Sequence, residues 1–308
     1  MSRLAPSQRR ALGRELSRLA YASVAESLAA QNLADESIQA TATGAGRIGF
    51  TGAPGAGKST LISRLAKRRL AGCRDDGGVA ILGIDPTSPL SGGSILGDRI
   101  RMDAIAGEPD LYIRSLASRS SNDGLADNVL DLIEAVERYG FHEVLLETVG
   151  VGQAEHAIRH SVDTLVMVMQ PNAGDAIQAM KSGILELADI YVINKADLTG
   201  AAKSASEIRG IVQRRHSESA WMPPVISVSQ ADDMGLETLD AAISEHLAWQ
   251  SQHREAQEVQ RRRRHYHLQS LIVRRVAELL DQRPELLDAK APKQRYIRLV
   301  KALGEDAE

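Results

Sequence analysis

The part of this sequence best suited to bind phosphate is Gly52-Ala53-Pro54-Gly55-Ala56-Gly57-Lys58-Ser59, which Thr60 follows. It has the form G-x-x-x-x-G-K-S, which makes a phosphate-binding P-loop when it lies between a strand and a helix. Glycine lets successive backbone N–H groups turn toward an anion, and the helix N-terminus adds a partial positive charge. In such a loop Lys58 reaches the β- and γ-phosphates and the Ser59 hydroxyl binds magnesium. The sequence therefore predicts that residues 52–60 bind a nucleotide.

A second motif, Asn194-Lys195-Ala196-Asp197, predicts which base is bound. The carboxylate of Asp197 can accept two hydrogen bonds from N1–H and the exocyclic amine of guanine, and adenine offers no such pair of donors. Charge-assisted hydrogen bonds are strong, and a site built for polar partners rejects the wrong ligand by about 10⁴-fold. Asn194 is expected to orient the loop and Lys195 to lie over the base. We therefore expect GTP and GDP, rather than ATP, as ligands.

Acids at the ends of apolar segments are candidate magnesium ligands beside Ser59. Magnesium prefers oxygen ligands, and Asp85 and Glu147 each follow an apolar run, whereas Asp98 lies in a glycine-rich segment. Glycines beside Asp98 and after Glu147 allow ordering that depends on the γ-phosphate.

Gln153 is a candidate for orienting the attacking water, because phosphoryl transfer depends mainly on positioning and charge stabilisation. The predicted catalytic residues are thus Lys58, Glu147, Gln153 and Asp98. Since no arginine stands out as a finger, we expect slow intrinsic turnover that a partner or a second subunit accelerates.

Short apolar segments with the pattern of buried strands alternate with helical patterns along the chain. The predicted strands are 47–50, 79–84, 111–114, 143–146, 164–169, 191–193 and 225–228, and predicted helices include 124–139, 175–187 and 202–215. This alternation predicts an α/β P-loop fold, a mostly parallel sheet flanked by helices. The carboxyl ends of parallel strands share one edge of the sheet, and ligands bind there. Both nucleotide motifs follow predicted strands.

Helical patterns at the two ends divide the chain into three regions. We predict an N-terminal helical extension over 1–43, a GTPase domain over 44–250 and a C-terminal helical dimerisation arm over 251–308. Residues 251–281 lack Gly and Pro and carry apolar residues at helical spacing, and Pro284 closes this segment. Such an arm buries its apolar stripe on its own domain or on a second subunit. The four arginines 261–264 point in all directions on a helix, so we interpret them as solvated or paired across an interface.

Composition excludes several classes of function. The 308 residues are 43% hydrophobic and 25% charged, as in ordinary soluble proteins, and the formal net charge of −3 gives no reason to expect a nucleic-acid or membrane partner. The single cysteine, Cys73, excludes an intrachain disulfide and fits a reducing compartment, so a cytoplasmic location is expected. Residues 1–20 carry five arginines against one acid. The mitochondrial matrix is therefore the alternative location, if this segment is a transit peptide.

The segments around the motifs resemble the methylmalonyl-CoA mutase-associated GTPases of the MeaB/ArgK type. The similar segments are 85–89, 91–102, 147–153 and 174–178 with Lys181, and the resemblance covers residues 44–250. It implies a homodimeric GTPase that associates with an adenosylcobalamin-dependent acyl-CoA mutase, gates loading of its cofactor and protects it from inactivation. The family tends to have a guanine-supporting Ser-Ala where this chain has Ser229-Gln230, which implies that Ser229 and Gln230 help to bind the base. It also tends to have more glycine where this chain has residues 119–125.

Two other functions fit a P-loop. A nickel-delivery GTPase would need a metal-binding tract, and the histidines are scattered, with His265 and His267 two positions apart on a predicted helix and so pointing in different directions. A nucleotide kinase would need a site for an acceptor, of which the sequence shows no signature. The preferred function is therefore the mutase-associated GTPase, with nickel delivery as the alternative.

Overall fold

In a computed structural model, the fold is a parallel sheet with helices packed on both faces. The structure describes residues 4–35, 45–72, 77–86, 105, 108, 110–118, 128–148, 154–171, 187–216, 220–229, 231–253 and 256–305. Helices precede and follow the sheet in the chain. The predicted α/β P-loop fold with helical extensions is thus confirmed. In the described segments no helix is both long and apolar enough to cross a membrane.

The sheet places the strand that precedes the P-loop near its middle. Its strands are β1 (Gly46–Thr51), β2 (Gly78–Pro86), β3 (Leu111–Ser118), β4 (Phe141–Glu147), β5 (Thr164–Met169), β6 (Ile190–Asn194) and β7 (Val225–Val228). All neighbours pair in parallel, in the order β3-β2-β4-β1-β5-β6-β7. Every predicted strand has a counterpart, and β5 and β7 have the predicted bounds. Strand β3 is longer than predicted, because pairing with β2 continues through the polar residues as far as Ser118.

The helices fill the connections between strands and both ends of the chain. They are α1 (Pro6–Tyr21), α2 (Val24–Asp35), α3 (Lys58–Gly72), α4 (Val129–Arg138), α5 (Ala154–Ser161), α6 (Ala201–Arg215), α7 (Leu236–His253), α8 (Ala256–Gln282) and α9 (Pro292–Glu305), with a 3₁₀ turn at Pro284–Leu287. The helix predicted at 202–215 corresponds to α6 and the one at 124–139 to α4. The helix predicted at 175–187 lies, apart from Leu187, outside the described residues. The boundary predicted at residue 250 falls inside α7.

Alternate strand residues build two apolar layers, because successive side chains of a strand point to opposite faces. On β2, Leu82 belongs to the layer under α1, α4 and α5, and Ile81 belongs to the layer under α3 and α7. A smaller cluster joins α6 to β5 and β6 around the fully buried Tyr191. With both faces covered, the strands are apolar on both sides, as in other parallel sheets. This rigid sheet fixes the positions of the loops at its carboxyl edge.

Helix α8 packs on earlier parts of its own chain through polar side chains. Arg263 Nη2 lies 2.6 Å from Asp163 Oδ1, and His267 Nε2 lies 3.1 Å from Asp131 Oδ1. Arg274 donates to the Ala22 carbonyl oxygen at 2.8 Å. Within the arginine run, Arg263 therefore pairs inside the chain. The opposite side of α8 leaves three apolar residues exposed, and α9 does the same: Leu268, Ile272, Val273, Tyr296, Ile297 and Val300.

Candidate nucleotide-binding site

The loop between β1 and α3 requires glycine at its first position. Gly52 has φ +140°, and a Cβ atom placed there would lie 1.9 Å from the Val168 carbonyl oxygen on the neighbouring strand β5. Gly55 and Gly57 also have positive φ angles, which L side chains rarely adopt. The Leu61 N–H donates to the Gly57 carbonyl oxygen at 3.0 Å and begins the ladder of α3. Residues 52–57 thus form the tight loop before a helix N-terminus that binds phosphate well.

Lys58 is folded over this loop. It is 6% exposed, and its Nζ donates to the carbonyl oxygens of Gly52 at 2.7 Å and Ala53 at 3.1 Å. Neutral carbonyl oxygens bind an ammonium group more weakly than charged phosphate oxygens do. The lysine is therefore placed to exchange these contacts for the phosphates of a bound nucleotide.

A serine and a glutamate meet beside the loop. Ser59 Oγ donates to Glu147 Oε1 at 2.8 Å, and the two residues are 4% and 5% exposed. Pairing of β1 with β4 sets Phe50 opposite Glu147, and Thr148 N–H donates to the Phe50 carbonyl oxygen at 3.1 Å. Two oxygen ligands at the phosphate end of the loop fit the chemistry of magnesium, which prefers oxygen. Both residues are predicted magnesium ligands, and the fold brings them into contact.

The other predicted residues of this region lie at or beyond the limits of the described structure. Asp85 has its backbone at the end of β2, opposite Ala117 of β3, and its side chain is outside the described residues. Asp98 and Gln153 also lie outside them. Their roles as magnesium ligand and water-orienting residue stay predictions.

The N-K-x-D loop is hydrogen-bonded to the P-loop. Asn194, fully buried at the end of β6, donates from Nδ2 to the Ala56 carbonyl oxygen at 2.7 Å. Lys195 Nζ donates to the Gly55 carbonyl oxygen at 2.8 Å and to Gln170 Oε1 at 3.1 Å. The two motifs, far apart in the sequence, therefore form one continuous surface. The residues predicted to bind phosphate and those predicted to bind the base share that surface.

Two of the residues predicted to bind the base, Asp197 and Ser229, are in contact with each other. Asp197 is exposed, and its Oδ1 accepts a hydrogen bond from Ser229 Oγ at 3.3 Å. The Ser229 N–H donates to the Met234 carbonyl oxygen at 3.0 Å, so this amide is already engaged within the loop. Gln230 lies outside the described residues. The roles of Ser229 and Gln230 in binding the base stay predictions.

Two polar contacts of the site were not predicted from the sequence. Gln170 accepts from Lys195, and Thr148 Oγ1 contacts the Phe50 carbonyl oxygen at 3.4 Å. Each residue directly follows an apolar strand, β5 and β4 respectively. The sequence signal that could have identified Gln170 and Thr148 is their position directly after an apolar strand. The same signal predicts Glu147 and Asn194.

A buried polar network lies at the amino-terminal edge of the sheet, opposite the loops of the candidate site, at the start of β5 and β6. His246 is fully buried, with Nδ1 2.8 Å from Thr164 Oγ1 and Nε2 3.3 Å from Asp189 Oδ1. Burial alone would raise the pKa of Asp189, but the hydrogen bond with His246 and the charge of Arg159 outweigh it and lower that pKa. Described histidines such as His246 and His267 thus pair with polar side chains of the fold. Among the described residues, no group of three or more His, Cys, Asp or Glu is placed to hold a metal ion.

These contacts define a class of protein. The parts of a P-loop GTPase are present: a P-loop at the end of the central strand β1, a glutamate on the adjacent strand β4, and an N-K-x-D loop hydrogen-bonded to the P-loop. The model of the methylmalonyl Co-A mutase-associated GTPase MeaB family matches residues 15–285. The chain belongs to this family and is a GTPase.

Individual proteins agree with this assignment. A putative GTPase of Pyrococcus abyssi is 39% identical over 229 residues, which are 73% of this chain and 69% of that protein. The fused isobutyryl-CoA mutase of Geobacillus kaustophilus is 37% identical over 223 residues, which are 71% of this chain and 20% of that longer protein. A crystal structure of a LAO/AO transport system kinase has a TM-score of 0.60 at 22% identity, covering 98% of this chain and 100% of that one. At this identity the solved structure supports the fold alone.

Proposed function

We propose that this GTPase is the chaperone of an adenosylcobalamin-dependent acyl-CoA mutase, and that GTP binding and hydrolysis gate cofactor loading and protect the mutase. The observation that carries the proposal is the fused isobutyryl-CoA mutase, in which a segment similar to this chain is part of a mutase polypeptide. The name of the matching family also links its GTPases to methylmalonyl-CoA mutase. Either mutase class is a candidate partner.

The residues of the site have separate roles in this proposal. The backbone N–H groups of residues 52–60, apart from Pro54, and the Lys58 ammonium hold the phosphates, and Asp197 accepts hydrogen bonds from guanine. Ser59 and Glu147, which are in contact, would hold magnesium, and Asp85 and Asp98 are further candidate ligands. Magnesium neutralises charge that develops on the phosphates during transfer. Gln153 orients the water that attacks the γ-phosphate.

The C-terminal helices are proposed to join two copies of the chain. Six apolar residues of α8 and α9 are exposed: Leu268, Ile272, Val273, Tyr296, Ile297 and Val300. The centre of a stable interface between subunits is more apolar than ordinary protein surface. The homodimer is proposed to act in the cytoplasm.

The mutase partnership is tested by measuring GTP hydrolysis with and without purified adenosylcobalamin-dependent mutases, with ATP as the control nucleotide. We expect isobutyryl-CoA or methylmalonyl-CoA mutase to accelerate GTP hydrolysis and to leave ATP hydrolysis unchanged. The Lys58→Ala variant controls for a contaminating GTPase. Equal slow hydrolysis with every mutase would contradict the chaperone role, keep the GTPase assignment and favour nickel delivery, which a nickel titration would then test.

Base recognition is tested by Asp197→Asn. The amide replaces one carboxylate acceptor by a donor, which suits the 2-carbonyl oxygen of xanthine and opposes the 2-amine of guanine. We expect the affinity for GDP to fall by about a hundredfold or more and the affinity for xanthosine diphosphate to rise. Isothermal titration with both nucleotides measures this change. Retained preference for guanine would remove Asp197 from base recognition.

A further inference from the structure

One arginine connects the phosphate-binding helix to the loop that follows β7. Arg64 lies on α3, the helix that begins with Lys58, and its Nη1 donates to the Ser229 carbonyl oxygen at 2.8 Å. Its Nε donates to Asp233 Oδ1 at 3.1 Å, and Nη2 also pairs with that carboxylate. The planar guanidinium can make these contacts together because its N–H groups have a fixed geometry.

The loop held by Arg64 contains strained backbone. Asp233 has φ +56°, which is uncommon for a residue with a side chain. Gly235 has φ +79°, and a Cβ atom there would lie 2.0 Å from the Ser227 carbonyl oxygen. Strained conformations of this kind persist when the surrounding contacts determine them. Arg64 supplies such contacts from outside the loop, at both Ser229 and Asp233.

Ser229 connects this arginine to the residue that reads the base. Ser229 is 1% exposed, its carbonyl oxygen accepts from Arg64, and its Oγ donates to Asp197 Oδ1 at 3.3 Å. The same Oγ accepts from the Ala231 N–H at 3.1 Å, and the Asp232 carboxylate also hydrogen-bonds with the Ser229 side chain. A displacement of Ser229 would therefore move the hydrogen-bond donor that orients the Asp197 carboxylate.

We propose that Arg64 is a positioning residue for guanine recognition: it holds Ser229, and through Ser229 the carboxylate of Asp197, in register with the phosphate-binding helix. This rests on the proposed role of Asp197 in reading guanine. An ordinary surface ion pair with the exposed Asp233 would contribute little. The contact with the buried Ser229 is what gives Arg64 its effect on the base.

The test compares the affinities of three ligands: GDP, inosine diphosphate, which lacks the 2-amino group, and pyrophosphate, which lacks the base. For Arg64→Ala we expect GDP to bind about tenfold more weakly, a smaller preference for GDP over inosine diphosphate, and pyrophosphate affinity within about twofold of the original. The KM for GTP should rise while kcat stays unchanged, because the lost interaction concerns binding of the base. Arg64→Lys should restore only part of the preference, since an ammonium lacks the planar fork.

Arg68 provides a matched control on the same helix. It pairs with Glu237 and Asp240 on α7, so Arg68→Ala removes a similar charge without touching the Ser229 loop and should leave GDP preference unchanged. Equal weakening of all three ligands by Arg64→Ala, or no change in the GDP preference, would overturn the positioning role.

The Asp197→Asn variant separates the positioning role of Arg64 from the base-reading role of Asp197. If it loses guanine selectivity and Arg64→Ala does not, only the role of Arg64 fails. If Asp197→Asn keeps that selectivity, the base-reading assignment fails first.

Discussion

We expect Lys58 to exchange its carbonyl partners for phosphate oxygens when a nucleotide binds. Its Nζ contacts the loop carbonyls of Gly52 and Ala53, within reach of the helix N-terminus that attracts phosphate. Because hydrogen bonds to charged groups contribute about 1.5–3 kcal/mol, Lys58→Ala should weaken GTP binding by about 10- to 150-fold. Fluorescent nucleotide titration measures the loss. The control is Lys67→Ala, which removes an exposed lysine from the same helix and should bind GTP normally. Unchanged GTP affinity in Lys58→Ala would contradict the phosphate-binding role.

Some residues of the candidate site can be predicted from sequence because their motifs have fixed local spacing. The P-loop and the N-K-x-D motif specify Lys58, Ser59 and Asn194 by their neighbours, and the fold brings these residues together. Arg64 has no such signal. It looks like any other arginine on a helix surface, and its partner Ser229 is separated from it by 165 positions, so only the folded chain brings them into contact. Sequence analysis misses positioning residues of this kind, because their contacts form only in the folded chain.

Helix α8 depends on charged side chains for its docking to the GTPase domain. The hydrogen bond with Asp131 raises the pKa of His267, and burial opposes that effect without cancelling it. Arg274 also contacts Asp131, with Nη1 3.7 Å from Oδ2. Burial raises the pKa of the nearby Glu134. The sequence predicted a helix here from its apolar spacing, but the partners of its His and Arg residues follow from the tertiary structure.

The raised pKa of His267 predicts how the docking of α8 depends on pH. Since the folded pKa exceeds the unfolded value, the His267–Asp131 pair stabilises the fold fully below about pH 6.5 and loses this effect as pH rises through the folded pKa. His267→Gln should therefore reduce the free energy of unfolding more at pH 6 than at pH 9. Urea unfolding at the two pH values measures the difference. His265→Gln, an exposed histidine on the same helix, should show no such dependence. An equal loss at both pH values would show that charge on His267 does not stabilise the docking.

At the scale of the whole molecule, the C-terminal helices have two different surfaces. Arg263, His267 and Arg274 bind α8 to earlier parts of the chain. The 3₁₀ turn and α9 form a small core with the end of α8 around Leu279 and Leu286. Removing everything after residue 250 would cut inside α7 and also strip these contacts from the GTPase domain. A truncation therefore cannot separate loss of a dimer from damage to the monomer, and point changes on the exposed apolar side are the sharper test.

The proposed homodimer should dissociate when charge is placed on that exposed side. Ile272 and Tyr296 are 50% and 68% exposed, so Ile272→Asp with Tyr296→Asp should leave the monomer folded and its GTP affinity intact. An unpaired carboxylate buried at an interface costs several kcal/mol, which raises the dimer dissociation constant by about a hundredfold or more. Sedimentation velocity over a range of concentrations measures it. Met222→Asp is the control, because Met222 is 48% exposed and lies on the loop before β7, outside α8 and α9. If the full chain is a monomer, or if the double variant stays dimeric, the interface between copies does not lie on these helices.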